Sequence, residues 1–259
     1  VLSAEHDVAQ PASIPHVFHY CWFGGNPKPE LLERCIASWT RVMPGWDVVE
    51  WNEDNYDVGK NAYMREAHEA GAWAFASDYA RFDIVNTHGG VYLDTDVELL
   101  KPIPASVLAD QAFTGIESAG RVNPGLILGA VAGHPFLAEM RESYEGVHFL
   151  VDGRPDRTPM PRRITAILEG YGYRQEDVLQ RVAGVTIYPS EVFCGHDMDV
   201  HEPHITENTI AMHHYAGTWT GARGRRRRMV RTVLKSVLGI PGYRRLLGVK
   251  RRFFGIHGA

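Results

Sequence analysis

Two carboxylates, Asp94 and Asp96, stand two residues apart at the end of Gly89-Gly90-Val91-Tyr92-Leu93-Asp94-Thr95-Asp96. At that spacing both side chains could reach one hard cation. The glycine pair ends a helical pattern and the apolar run after it reads as a short buried strand, so the carboxylates fall where the strand stops. In open α/β sheets ligands sit beyond the carboxyl ends of the strands. The chemistry this suggests is a metal-diphosphate site. An Asp-x-Asp alone also fits a plain polar turn, so its flanks must decide. Upstream, Ser77, Asp78 and Arg81 lie in a helical pattern. Asp78 and Arg81, three apart, share a face and either pair with each other or face a ligand.

The elements that would position these groups are read from periodicity. Pro15–Phe23 is an apolar and aromatic run closed by Gly24-Gly25, as expected of a buried first strand. Pro29–Val42 places Leu31, Leu32, Cys35, Ile36, Trp39 and Val42 at helical spacing, and Trp46–Trp51 reads as a second strand. Asn52–Asn55 is a polar turn suited to capping the next helix. Asn61–Thr87 predicts two helices broken near Gly71, the second running into the Gly-Gly strand. Val97–Leu100 is a short extension, Ala112–Ile116 and Leu126–Val131 read as strands, and Pro135–Phe149 as a helix. Val151–Pro161 reads as a loop of about ten residues, Arg162–Glu169 as a helix, and Val185–Pro189 and Ile210–His214 as strands. The pattern contains no internal repeat, P-loop, zincin, Gly-x-Ser-x-Gly or dinucleotide fingerprint.

With 259 residues, 44% of them hydrophobic, the chain can bury a large core. Cys21, Cys35 and Cys194 are odd in number and widely spaced, which argues against a disulfide framework or a thiolate zinc site and fits a reducing compartment. With no signal-peptide pattern and no run of membrane-span length, a cytoplasmic location is expected. The sequence starts at Val1, and residues 1–12 carry no weight in the reading. Residues 221–259 hold twelve of the 27 Lys and Arg and none of the 31 Asp and Glu. An acidic body, residues 13–220, is thus joined to a basic segment, residues 221–259, and the body is a poor partner for nucleic acid.

Four blocks carry a family resemblance: Ile14–Gly24, Ala76-Ser77-Asp78-Tyr79-Ala80-Arg81, Gly89–Asp96 and His213-His214-Tyr215-Ala216-Gly217-Thr218-Trp219. Together they resemble the glycosyltransferases with the sugar-binding region containing the DXD motif, of the capsular polysaccharide and initiating mannosyltransferase type. The resemblance implies an α/β, GT-A type, Rossmann-like nucleotide-sugar-binding domain, here followed by a helical basic tail. It also implies a nucleotide-sugar donor, a divalent metal and transfer with retention to a glycan or lipid-linked acceptor. Carried over residue by residue, Asp96 binds the metal directly, and Asp94 binds it through water or touches the ribose. His214 is the expected third ligand, with its neighbour His213 the open alternative. An imidazole among oxygens favours Mn²⁺ over Mg²⁺. Trp22 would stack on the base, Asp78 contact ribose or base, and Arg81 the diphosphate. His19, Tyr92 and Thr95 complete the expected donor side. The resemblance leaves the catalytic residue unnamed. Two other functions fit the same residues: an inactive transferase-like domain binding polyanions through its tail, and a nucleotide-sugar hydrolase.

The resemblance stops near Trp219, and the tail is read on physical grounds. Arg225–Ile240 aligns Met229, Val230, Val233, Leu234, Val237 and Leu238 as a stripe, and after Pro241-Gly242 a second segment repeats the design. Apolar faces flanked by Arg suit an anionic membrane surface, which would make the protein peripheral at the inner face of the cell membrane. Packing of the stripe on the acidic body is the alternative.

Overall fold

The computed structural model describes residues 13–197, 200–217 and 222–254. The chain begins with β1 (Val17–Cys21), α1 (Glu30–Val42), β2 (Asp47–Trp51), α2 (Ala62–Glu69), α3 (Trp73–His88), β3 (Gly90–Tyr92) and β4 (Val97–Leu99). It continues with α4 (Ala105–Leu108), β5 (Ala112–Gly115), β6 (Leu128–Ala130), α5 (Pro135–Glu142), β7 (Leu150–Val151), β8 (Arg154–Pro155) and α6 (Met160–Gly170). Then come β9 (Gln180–Val182), β10 (Val185–Tyr188), α7 (Ser190–Phe193), β11 (His196–Asp197), β12 (Glu202–Pro203), β13 (Ala211–His213) and α8 (Ala222–Phe254).

Seven strands form one sheet in the order β2-β1-β3-β6-β5-β10-β9. Strands β2, β1, β3, β5 and β10 run one way, and β6 and β9 oppose them. The α/β class with a C-terminal helix is the one expected. Strand β3 is central and buried on both faces, so side chains alternate between two cores. Tyr92 joins Tyr63, Met64, Phe82 and Tyr144 on one side of the sheet. Val91 and Leu93 join Phe18, Trp39, Phe113 and Phe193 on the other.

Helix α3 feeds β3 and is buried almost all round, including Ser77, Asp78, Arg81 and Asp83. A helix wrapped by its own protein has no solvent face on which to place its charges, so these must find partners inside. At its end Gly89 and Gly90 both have positive φ, and a Cβ on Gly90 would come within 2.9 Å of Val17 and His19. Only glycine lets β3 lie this close to β1.

Beyond the sheet, β4 pairs antiparallel with β13, His213 opposite Val97. The Trp39 indole N–H donates to Val97 O at 2.8 Å and Leu99 N–H to Ser38 Oγ at 2.9 Å, tying this small ladder to α1. The ladder brings the far end of the body back to Asp96.

Several local expectations shift. The cap of α2 is Asn61, whose side chain accepts from Tyr63 and Met64 N–H, and not the Asn52–Asn55 turn. Helix α5 ends at Glu142, not Phe149, although Tyr144 and Phe149 remain buried. The expected 151–161 loop contains most of the β7–β8 hairpin. The tail breaks at Gly239 (φ 64°, ψ 168°), two residues before Pro241.

Candidate active site

Asp94 and Asp96 follow β3, and the β4–β13 register sets His213 beside them. One ligand atom from each of Asp94, Asp96 and His213 lies within 4.8 Å of the others, the one such His/Cys/Asp/Glu group among the described residues. His213 Nε2 is 3.0 Å from Asp96 Oδ1. The histidine expected as third ligand, His214, instead turns to Glu98, with Nε2 2.9 Å from Oε2. Adjacent residues of an extended segment point to opposite sides, and the ladder puts His213 inward.

The backbone after this histidine pair is bent to serve the same group. Tyr215 has φ 49°, a left-handed conformation costly for a bulky residue and usually kept where the surroundings demand it. The bend lets Ala216 N–H donate to Asp96 Oδ2 at 2.8 Å. It also places Tyr215 OH 3.3 Å from Cys194 Sγ and 3.5 Å from Glu117 Oε2. Burial alone would raise the Asp96 pKa, but the charge and hydrogen bond of His213 and the Ala216 N–H outweigh it and hold the carboxyl at about 2. The His213 pKa is raised: burial opposes the proton, and Asp96, Asp94 and Glu117 favour it.

Arg81 links this group to α3. It is 3% exposed, donates through Nε to Ser77 O and through Nη2 to Ser77 Oγ, and lies 3.1 Å from Asp78 and 3.3 Å from Asp94. Its guanidinium stands over the Tyr92 ring at 4.9 Å, and Tyr92 OH donates to Asp94 Oδ1 at 3.2 Å. Arg81 Nη1 is buried without a hydrogen-bond partner. Burial moves the Asp78 pKa up to about 7; Arg81 opposes this and Asp94 adds to it. One guanidinium is shared between two carboxylates, so neither is fully compensated.

Around Arg81 and Asp94 the chain leaves room. A Cβ on Gly125 would sit 2.2 Å from Asp94 Oδ2 and 2.8 Å from Arg81 Nη1. Gly125 O accepts from Asp94 N at 3.0 Å, and Asn123 Oδ1 accepts from Gly125 N at 2.8 Å while its Nδ2 donates to half-buried Glu117. Glu117, Asn123 and Gly125 were not foreseen. A carboxylate two residues past β5, and a glycine opposite the Asp-x-Asp, are the signals that could have pointed to them.

Two further expected donor residues, His19 and Trp22, lie on and just after β1, which pairs with β3 so that His19 stands opposite Tyr92. His19 is buried with both ring nitrogens engaged, Nε2 2.9 Å from Gly89 O and Nδ1 accepting from the Trp51 indole at 3.1 Å. It fastens β1, β2 and the α3–β3 turn. Trp22 is half-buried; its indole N–H donates to Asn26 O at 2.7 Å and the Lys28 ammonium lies 5.5 Å from its ring. It borders an open cleft of about 460 Å³ with Lys28, Glu50, Asn52 and Glu53, which none of Asp78, Arg81, Asp94 or Asp96 lines. Thr95 is half-buried between the two aspartates.

Two carboxylates and an imidazole offer oxygen and nitrogen donors suited to Mn²⁺ or Mg²⁺, and the buried Nη1 of Arg81 offers an unused donor beside them. These charged groups gather where β3 ends, the place at which ligands bind in open α/β sheets. Residues 29–114 match the family described as "Glycosyltransferase sugar-binding region containing DXD motif", the family the four sequence blocks resemble. The chain is 29% identical over 149 residues to inositol phosphoceramide mannosyltransferase 1 of Schizosaccharomyces pombe, covering 53% of this chain and 43% of that protein. It is 39% identical over 69 residues to human alpha-1,4-N-acetylglucosaminyltransferase, 27% of this chain and 18% of that one. A solved glycosyltransferase involved in glycosylation of the major capsid of PBCV-1 superposes with a TM-score of 0.45 at 13% identity, over 83% of this chain and 98% of that one. The chain spans less than half the length of the curated relatives it matches.

Proposed function

We propose that this protein is a metal-dependent, retaining glycosyltransferase that moves a sugar from a nucleoside diphosphate, UDP favoured, to a glycan or lipid-linked acceptor. The reading rests on one observation above the others: Asp94, Asp96 and His213 converge beside a buried guanidinium with a free Nη1. A diphosphate needs positive charge on both sides, and this site offers a cation-binding group and Arg81 side by side.

Asp94, Asp96 and His213 would hold Mn²⁺ or Mg²⁺. When bound, the ion supplies Lewis-acid stabilisation of the departing diphosphate. The chain's own residues do the positioning. Ala216 N–H and the ladder fix Asp96. Asp78 and Ser77 hold the guanidinium fork of Arg81, whose planar donors suit phosphate oxygens. Gly125 keeps a side chain out of the space between Arg81 and Asp94. Front-face transfer asks a protein mainly for such placement and electrostatics.

The experiment is a thermal-shift panel of UDP- and GDP-sugars with and without Mn²⁺, since a ligand that binds only the native state raises its melting point. A UDP-sugar with Mn²⁺ is expected to give the largest rise, and Asp96→Ala to remove the metal-dependent part. Donor affinity unchanged in Asp96→Ala would overturn the metal role. Product analysis with and without added acceptor separates transfer from donor hydrolysis.

A further inference from the structure

Helix α8 lies on the body the opposite way round from an ordinary surface helix. At about 100° per residue, Met229, Val230, Val233 and Val237 fall within one arc of roughly a quarter-turn, and they are 69%, 51%, 54% and 74% exposed. Leu234 and the basic Arg231 and Lys235, on the other side, are half-buried. Lys235 Nζ bonds Glu202 Oε1 at 2.6 Å and His201 O at 2.9 Å, and after the Gly239 break Arg244 Nη2 bonds Asp197 Oδ2 at 2.7 Å. Helix α8 therefore meets the β11–β12 hairpin through these cations, buries Tyr243 beyond the break, and turns the Met229–Val237 stripe outward.

We infer that this outward stripe of α8 is the surface by which the protein sits on an anionic lipid bilayer. Exposed valines and methionine between Arg residues match an interface that is apolar below and negative above. The segment has twelve cations and no anion. A second copy would bring two such helices together, charge against like charge. Nucleic acid would leave the valines uncovered. The acidic body already occupies the other side. Among the described residues no helix is long and apolar enough to cross a membrane, which leaves contact in the plane of the surface as the mode for α8.

The same hairpin connects this surface to the acidic site. The His196 ring lies 5.2 Å from Tyr215, and Tyr215 lies 4.0 Å from His213. Four residues lie between Gly217 and Ala222, so the start of α8 is at most about 18 Å from Gly217, the neighbour of the Ala216 that bonds Asp96. A bilayer under the stripe would lie close to the site. The inference goes beyond the transfer reading and does not depend on it.

The test is co-sedimentation of the full chain with phosphatidylcholine vesicles, with and without phosphatidylglycerol, at low and high salt, alongside Val233→Asp/Val237→Asp. Both substitutions are at solvent-exposed positions, and an unchanged melting point verifies that the variant is intact. The expected result is binding that requires phosphatidylglycerol, weakens with salt, and falls tenfold or more in the variant. Equal binding by the variant overturns the inference. So does binding indifferent to lipid charge, or no vesicle binding together with a dimer in sedimentation velocity that the variant splits. Vesicle binding without any donor response would count against the transfer reading alone.

Discussion

Arg81 and Arg244 are both arginines paired with aspartate, and they sit in opposite settings. Arg81 is sealed in α3 among Ser77, Asp78, Tyr92 and Asp94, its side chain 3% exposed. Arg244 lies on α8, 62% exposed, and reaches out to Asp197. In the first region charges are buried beyond what their partners compensate, which is the condition of a site built to receive another charged group. In the second they stay in water and only steer a helix into place. The contrast shows where polar residues specify geometry and where they merely orient an element.

The strongest way to break that contrast is Arg81→Ala. It strands Asp78 and Asp94 in a low-dielectric setting, and the expected loss is about 3 to 5 kcal/mol in urea denaturation. Arg81→Lys recovers part of it at most, because an ammonium cannot reproduce the fork that holds Ser77, Asp78 and Asp94. A loss below about 1 kcal/mol would place Arg81 with Arg244.

Acid sharpens the comparison. Burial lowers the His19 pKa to about 4, against the hydrogen bond its ring makes to Gly89 O. Burial, with the nearby cations of α8, also brings His196 and His201 to about 4. Between about pH 6.5 and 4 the unfolded chain takes up protons that these native imidazoles refuse, so stability is complete above 6.5 and falls as pH drops through the window. Asp78 works in the other direction: its folded pKa near 7 lets the native state keep a proton that the unfolded chain releases above about 4. The histidine contribution is therefore read from variants against the parent. His19→Gln should flatten the pH dependence of the urea midpoint by at most about 3 kcal/mol. His201→Gln, half-buried under the tail, should do so less. Equal effects would mean that the hairpin under α8 is as tightly sealed as the sheet.

Gly125→Ala addresses the site itself. Gly125 has no positive φ, so the backbone tolerates alanine and the effect comes from the Cβ pressing on Asp94 and Arg81. The expected cost is about 1 to 3 kcal/mol. A loss of Mn²⁺-dependent donor binding by calorimetry, larger than the stability loss explains, should accompany it.

Periodicity and turn chemistry made the strands and helices around Asp94 legible, because β1, α1, β2 and α3 are local patterns of apolar spacing. The choice between His213 and His214 was not legible, since it depends on the β4–β13 register, a pairing across more than a hundred residues. For the same reason Glu117 and Gly125 were missed: their roles exist only once the segment before β6 lies beside β3 and β5 pairs on the far edge of β6. The four-block resemblance pointed to His19 and Trp22; that His19 meets the Trp51 indole and Trp22 bonds Asn26 O is a consequence of the fold. The apolar stripe of α8 was visible; that it faces outward depends on which side meets Glu202 and Asp197.

Arg244→Ala is the smallest expected effect and the mirror of the first. The pair with Asp197 is exposed on the arginine side, so removing it should cost no more than about 1 kcal/mol. For a chain of this size that shifts the melting point by about 2 to 4 °C at most. Lys235, better shielded and bonded to both Glu202 and His201 O, would still hold α8 on the hairpin. Raising the salt should shrink even this small loss, because exposed pairs are screened over about 10 Å at 0.1 M. Against anionic vesicles the same variant loses one cation near the surface, about 1 kcal/mol or a fewfold in affinity, whereas the aspartates at 233 and 237 remove binding through the apolar stripe. A melting point that falls as far in Arg244→Ala as in Arg81→Ala would show that α8 is integral to the core, and a stripe left outward by a loosely docked helix would then be ruled out.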